Sequence, residues 1–405
     1  MKKVALSLAA VAAATVFAPE ASAVPAFARQ TGMACNACHQ QHFPILNGFG
    51  RAFKADGFTM MGSQALIEEE HISLPSTLNA GILLKARYRM TNGNAKTVST
   101  NDGAWAVPDE FGLFFGGRLT ASDNLKVGTM IEHSMDNIVG FRIPMVTEIA
   151  GLKVSAVPFL TDALGPFYGY TESSTGLNRA VRWNEHHADI SAHRFVGVAT
   201  GAASGLTVFA KHEIGYVAET RWTPNFPMND QKLSLNMIHA GFTPTIAGWD
   251  MVITGELISG TSQVATYSAT DVFVNGADYS AMGATAQAQG EIAGMPTSLY
   301  ATYASAGKST SSAVNAYNSS TTDVKWAATV GGEVSVMPHL LHVGGAFRMG
   351  SAGGKSDNAL SANATYDLAQ NLGLQVTHSI YSGDKYKTTQ AAGDSMTTLL
   401  LETAW

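Results

Sequence analysis

From about Leu78 to Trp405 apolar and polar side chains take turns with period two, and this alternation constrains the fold more than any other feature. Val324, Trp326, Ala328, Val330, Val334 and Val336 fall on one face, and Lys325, Thr329, Glu333 and Ser335 on the other. Leu341, Val343, Phe347 and Met349 alternate with His342, Gly344 and Arg348. Leu372, Leu374, Val376 and Ile380 alternate with Gly373, Gln375, Thr377 and Ser379. Near the start, Ile82, Leu84, Ala86, Tyr88 and Met90 alternate with Lys85, Arg87 and Arg89. Each segment reads as a strand with one apolar and one polar face. Composition sharpens this. Hydrophobic residues are 46% of the 405, but charged ones only 14%, against about 25% in a soluble domain. Beyond the first 23 residues no apolar run approaches the roughly 20 needed for a spanning helix. A helical membrane protein is excluded. With a net charge of −6, no basic patch supports nucleic-acid binding.

A soluble sandwich also alternates, and connection lengths decide between the two. Short turns are expected at Ala121–Asn124, Gly201–Gly205, Ile246–Gly248, Ala293–Pro296, Met337–His339 and Ala369–Asn371. Longer polar stretches lie at 91–106, 160–187, 217–232, 261–277, 307–322 and 383–394. Short and long connections in turn are the pattern of a transmembrane β-barrel, with short periplasmic turns and long outer loops. The count comes to about sixteen antiparallel strands, weakest near Ile138–Glu148 and Leu152–Phe159, in an all-β fold facing outer-membrane lipid. An even number places both ends in the periplasm. Thr397, Leu399, Leu401, Thr403 and Trp405 share one face, and a terminal aromatic of this kind resembles the assembly signal of bacterial outer-membrane proteins. Sixteen strands enclose an aqueous lumen, which Lys85, Arg87, Arg118, Lys211, Glu213, Glu333 and Arg348 are expected to line.

The N-terminus has another character. Met1-Lys2-Lys3, an apolar stretch and Ala21-Ser22-Ala23 read as a secretory signal with its cleavage site, residues 1–23. The chain has two cysteines, Cys35 and Cys38, in Cys35-Asn36-Ala37-Cys38-His39. A disulfide suits an exported chain, and C-x-x-C alone also suits a redox pair. The histidine directly after makes the run the attachment signature of c-type haem. Two thiols one helical turn apart reach the two vinyl groups of one haem c, and His39 meets the iron as the proximal ligand. For the distal position Met33, His42, Met60, Met61 and His71 come into question. His42 and Met33 stand too close to His39, and Met60, after the Gly57-Phe58 turn, is the candidate. The alternative is that these methionines only pack around the haem. Arg51 and Lys54 are placed to pair with haem propionates, or are solvated surface cations. Residues 24–76 form a small haem segment, mostly coil and short helix, whose core is marginal alone. It is expected to plug the lumen of the barrel at 77–405, or to sit on its periplasmic side.

The run Phe27-Ala28-Arg29-Gln30-Thr31-Gly32-Met33-Ala34-Cys35-Asn36-Ala37-Cys38-His39, then Phe43-Pro44-Ile45-Leu46-Asn47, Phe49-Gly50-Arg51-Ala52-Phe53-Lys54 and Gly57-Phe58-Thr59-Met60, resembles the fused monohaem cytochrome–porin family. Those proteins are the outer-membrane iron oxidases of Fe(II)-oxidising bacteria. The motifs cover about 35 residues, and the barrel resembles the family in length and architecture only. The resemblance implies that electrons from extracellular Fe(II) enter the haem and pass to a periplasmic c-type cytochrome or other carrier, with Cys35, Cys38 and His39 holding the haem. Fe(II) favours carboxylate and imidazole, so Glu185, His186, His187 and Asp189 are the candidate docking loop. A solvated loop is the alternative. A diffusion porin with a structural or sensing haem stays open, as does an outward conduit that reduces external acceptors.

Overall fold

A computed structural model describes residues 26–42, 45–62, 64–69, 72–120, 122, 124–134, 138–173, 190–225, 232–262, 265–267, 273–369 and 371–405. Three short helices open it: α1 (Ala26–Thr31), α2 (Cys35–Cys38) and α3 (Gly48–Ala55). A hairpin, Leu66–Glu69 with Ile72–Pro75, leads into the barrel. The first strands are β1 (Ala80–Thr91), β2 (Ala104–Arg118), β3 (Lys126–His133), β4 (Ile138–Arg142 and Met145–Ile149) and β5 (Leu152–Thr161). After a long loop holding α4 (Ala192–Val196) come β6 (Ala203–His212), β7 (Gly215–Thr223), β8 (Leu235–Phe242 and Thr245–Ile246) and β9 (Trp249–Gly260). Then follow β10 (Ala281–Ile292), β11 (Met295–Ala306), β12 (Lys325–Met337) and β13 (Leu341–Ala352). The last are β14 (Lys355–Ser356 and Asn358–Ala369), β15 (Leu372–Ser382) and β16 (Ser395–Ala404).

These sixteen strands form one closed antiparallel barrel, as the alternation predicts. The last strand seals it against the first, from Met396 opposite Thr91 to Ala404 opposite Leu83. Trp405 and Ile82 then exchange two backbone hydrogen bonds of 3.0 and 2.7 Å. The breaks in β4 and β8 fall at Pro144 and Pro244, since proline brings no N–H to a ladder.

Three tight turns share the dipeptide Ala-Gly, at 150–151, 247–248 and 293–294, with both residues at φ between 51° and 80°. Two successive positive φ values define the hairpin turn whose twist matches its strands, and glycine meets that demand without strain.

The turn expected at Gly201–Gly205 and the loop expected at 217–232 are corrected by the structure. The turn is at Glu213–Ile214, and β7 occupies much of the supposed loop. Its outward positions include Glu219 and Arg221, paired with each other at 2.8 Å on the outer face. Charges where apolar residues are expected hid the strand. Glu213 therefore lies in an exposed turn rather than in the lumen.

Side chains sort by parity. In β12, Thr329, Glu333 and Ser335 are buried inward while Val330 is 58% exposed on the outside. In β9, Val252, Thr254, Glu256 and Ile258 are buried inward, while Ile253 and Leu257 are exposed. No helix among the described residues is long and apolar enough to cross a membrane. The outer apolar belt belongs to strands.

The loop between β5 and β6 does not stay outside. Phe167, Tyr168, Tyr170, Ile190, His193 and Phe195 are buried within the barrel. Lys325 Nζ donates to Val196 O at 3.0 Å, and the Arg348 guanidinium lies 4.0 Å over the Phe195 ring. This loop closes on the lumen from the end opposite the tight turns.

Replacing outward Val330 with arginine puts a charge into the apolar belt. Folding into lipid vesicles should lose about 2–4 kcal/mol, read from denaturant titration of the vesicle-folded chain. A loss below about 0.5 kcal/mol would contradict an outer surface built for hydrocarbon.

Candidate functional site at the tight-turn end of the barrel

The Cys35-Asn36-Ala37-Cys38 run winds into the single turn α2, with His39 N donating to Cys35 O at 2.9 Å. Positions i and i+3 stand on one helical face, so the two sulfurs project to the same side. No disulfide joins them, and both residues are half-buried. Burial pushes the Cys38 thiol up, and the neighbouring Cys35 pushes it the same way.

Asn47 fixes α3 against α2. Its Oδ1 accepts from Gly50 N at 2.9 Å as an N-cap, its Nδ2 donates to Ala37 O at 3.0 Å, and its own N–H donates to Cys38 O at 3.0 Å. A Cβ on Gly50 would lie 2.2 Å from Cys38 O, so only glycine permits this approach. Phe27 stacks on Phe58 at 4.7 Å and meets Phe53 edge-on at 5.3 Å. Gln30, fully buried, donates to Phe58 O and Met60 O at 2.7 and 2.8 Å and accepts from Arg118 N on β2 at 3.1 Å. The Met60 backbone is thereby held between α1 and the barrel wall.

The segment is seated inside the barrel mouth. Arg51 reaches Asp250 at 2.6 Å on β9, Gln289 at 2.8 Å on β10 and Glu172 of the inward loop at 3.6 Å. His42 Nε2 lies 2.6 Å from Glu333 Oε1 on β12. Gln41 donates to Pro296 O and Glu333 O at 3.2 and 2.8 Å and accepts from Ser298 Oγ at 2.7 Å. Asp56 pairs with Lys153 at 2.7 Å. Asn36 Nδ2 lies 3.5 Å from His339 in the β12–β13 turn, which places α2 at the tight-turn end. Beside it a cleft of about 480 Å³ opens between Gln40, Asn47, Trp249, Asp250, Gln289 and Glu291.

Plug and inward loop touch. Lys54 Nζ donates to Thr171 O and lies 5.6 Å from the Tyr170 ring centroid. Burial, outweighing the pull of Glu172, brings the Lys54 ammonium down to about 7. Arg142 lies over both Phe58 (5.2 Å) and Tyr168 (4.8 Å).

Of the residues singled out in the sequence, Cys35, Cys38 and His39 stand together at the mouth. Arg51 and Lys54 face the barrel and its loop, where acidic and carbonyl groups engage them. Glu185, His186, His187 and Asp189 lie outside the described residues, as does His71. Gln30, Asn47, Asp250, Gln289 and Glu172 were not anticipated; Glu333 was expected to line the lumen but not to meet His42, and for Asp250, Gln289 and Glu333 the partner is more than 190 positions away in sequence. The donor set fits a covalently held haem c: two unbridged thiols at i and i+3, followed directly by an imidazole.

The chain matches no protein-family model and no curated protein. Solved structures do resemble it. OmpT of Vibrio cholerae aligns with 84% of this chain and 100% of its own length, at 10% identity and a TM-score of 0.53. OmpF of Salmonella typhi gives the same coverages, identity and TM-score. A mutant of the Rh. blastica porin aligns with 81% of this chain and 100% of its own, at 10% identity and a TM-score of 0.51. At such identities the likeness is one of fold: a sixteen-stranded barrel matching outer-membrane porins.

Arg51→Ala strips three partners of their cation at once. Breaking a buried pair from one side costs about 3–5 kcal/mol, and the cost here falls on docking of the plug. Hydrogen exchange should accelerate at least tenfold through α1–α3 while the barrel strands keep their protection. Unchanged protection at α3 would show that Arg51 does not fasten the segment.

Proposed function

We propose that this chain is an outer-membrane electron conduit that holds one haem c at the periplasmic mouth of its barrel and takes electrons from extracellular Fe(II). The observation that carries this is the Cys35–Cys38–His39 turn, seated in the lumen of a closed wall by Arg51, His42 and Gln41. The exposed apolar belt and the porin-like fold support the outer membrane as the location. In a membrane that otherwise insulates, a redox group inside a protein wall connects the two faces.

Cys35 and Cys38 would bind the haem and His39 would be its proximal ligand, with Met60 as the candidate for the distal one. Bound there, haem supplies one-electron transfer, its potential set by axial ligands, hydrogen bonding and burial. The chain's own residues do the positioning. Asn47 and Gly50 lock α2 on α3, and Arg51 and Lys54 tie α3 to the barrel and inward loop, a role that competes with propionate pairing. Glu185, His186, His187 and Asp189 remain candidates for drawing Fe(II) to the outer face. A periplasmic c-type cytochrome or other carrier would accept the electron.

The porin fold of the structural neighbours favours a second reading, a solute channel with a structural haem. One experiment separates the two. Protein in liposomes, given Fe(II) on the outer side only, should show its haem Soret band move to the reduced form. His39→Ala should abolish that shift while the barrel still inserts. Haem that stays oxidised while small solutes cross would decide for the channel, and Fe(II) oxidation by His39→Ala at the parent rate would remove haem as the entry point.

A further inference from the structure

We propose that the outer face of β6–β10 is an interface at which a second copy of this chain docks within the membrane, centred on Glu219 and Arg221 of β7. Both side chains point outward, and they are 50% and 55% exposed. Glu219 stands five positions beyond the Glu213–Ile214 turn. That is about 17 Å of strand, which at a tilt of about 40° comes to mid-height in an apolar belt about 25 Å tall. The cross-strand partners mark the same level. Val208 on β6 and Ile238 on β8 lie directly opposite Glu219, Leu257 on β9 lies opposite Ile238, and all three are exposed apolar residues. In a lone barrel a charge at this level faces hydrocarbon, which is costly.

The pair does not cancel that cost alone. Arg221 Nε donates to Glu219 Oε1 at 2.8 Å, and among the described residues neither side chain has another partner. Arg221 Nη1 and Nη2 and Glu219 Oε2 stay unused, and hydrocarbon holds no water to satisfy them. Anionic headgroups answer only half of the pair, since they attract Arg221 and repel Glu219. A second copy answers both halves. Copies in one membrane share an orientation, so a rotation about the membrane normal relates them and like heights meet. In a two-fold contact residue i meets j and j meets i. Glu219 and Arg221, two positions and about 7 Å apart on one strand, are thus self-complementary: the carboxylate of each copy can meet the guanidinium of the other. The relief fits as well. One row nearer the tight turns, Val217 is flanked by Ala210 and Ala240, and the row continues to Gly255 and Ala284. Small side chains let two membrane-embedded backbones approach closely. On the opposite wall, Val376 and Ile380 of β15 present an ordinary exposed apolar surface.

The patch belongs to the barrel wall, so the proposal does not rest on the haem reading. The test uses the full-length chain in lipid vesicles, with Ile238 or, on the opposite wall, Val376 replaced by photoreactive benzoylphenylalanine. Illumination should join two chains through the first position and not through the second. Vesicles containing lipopolysaccharide form a second arm, and crosslinks from the Ile238 position to lipid alone overturn the interface. Charge reversal then tests the pairing. Glu219→Arg and Arg221→Glu each set like charges against each other across the contact, and each should weaken association at least about tenfold, read by sedimentation in micelles. Folded together in equal amounts, the two variants should associate again, because one then presents two cations and the other two anions. Neither variant keeps the pair within its own chain, so a merely structural role cannot give this recovery. Heat-modifiable mobility in electrophoresis reports the folded barrel, and if either variant fails to fold, the crosslink in the chain with both charges intact decides. Association that both reversals leave unchanged, or a mixture that stays monomeric, overturns the proposal.

Discussion

The pairing of β16 with β1 is the constraint on which the rest depends. In an apolar surrounding every unpaired N–H and C=O costs several kcal/mol, so a sheet is viable there only when it has no edge. The ladder from Met396–Thr91 to Ala404–Leu83 removes the last two edges. Closure at sixteen strands also fixes a circumference too large for inward side chains to fill, unlike that of an eight-stranded barrel. A lumen follows from the strand count, and something else in the chain must occupy it if it is not to stay open.

Two segments enter it from opposite ends. The β5–β6 loop brings Phe167, Tyr170, His193 and Phe195 down from one side, and α1–α3 come up from the tight-turn side. They meet where Arg51 approaches Glu172 and Lys54 reaches Thr171. Buried ion pairs of this kind add little net stability against an apolar equivalent, but their loss from one side is costly. Their effect is to define where the plug sits. Phe27, Phe53 and Phe58 supply its small apolar core, and charged and amide contacts set its position against strands that are far apart in sequence.

The alternation made the barrel readable because parity is local: a strand between lipid and water must alternate, whatever its partners are. It failed at β7, where Glu219 and Arg221 face outward and pair with each other, so that a real strand looked like a polar loop. The Cys35–His39 motif is likewise local, since the chemistry it suggests is contained in five consecutive residues. The contacts of Arg51 were not. A lone arginine in a short helix is equally compatible with a propionate, a carboxylate or water, and Asp250 and Gln289 become its neighbours only once β9 and β10 stand side by side.

The wall around this lumen is charged but pairs its charges. Lys85 sits 2.7 Å from Glu110 and 3.5 Å from Glu402, Arg87 2.6 Å from Asp109, and Arg348 2.8 Å from Asp357. A channel that selects ions by a field needs an excess of one sign along its path. In these pairs the charges are matched within a few ångströms, and their fields decay quickly. Matched charges held by a rigid sheet favour a different task. They reorient little when a unit charge appears nearby, and a preorganised surrounding of this kind avoids the reorganisation that mobile water would demand. For the one-electron group proposed at Cys35, Cys38 and His39, a wall of this kind would add little reorganisation of its own.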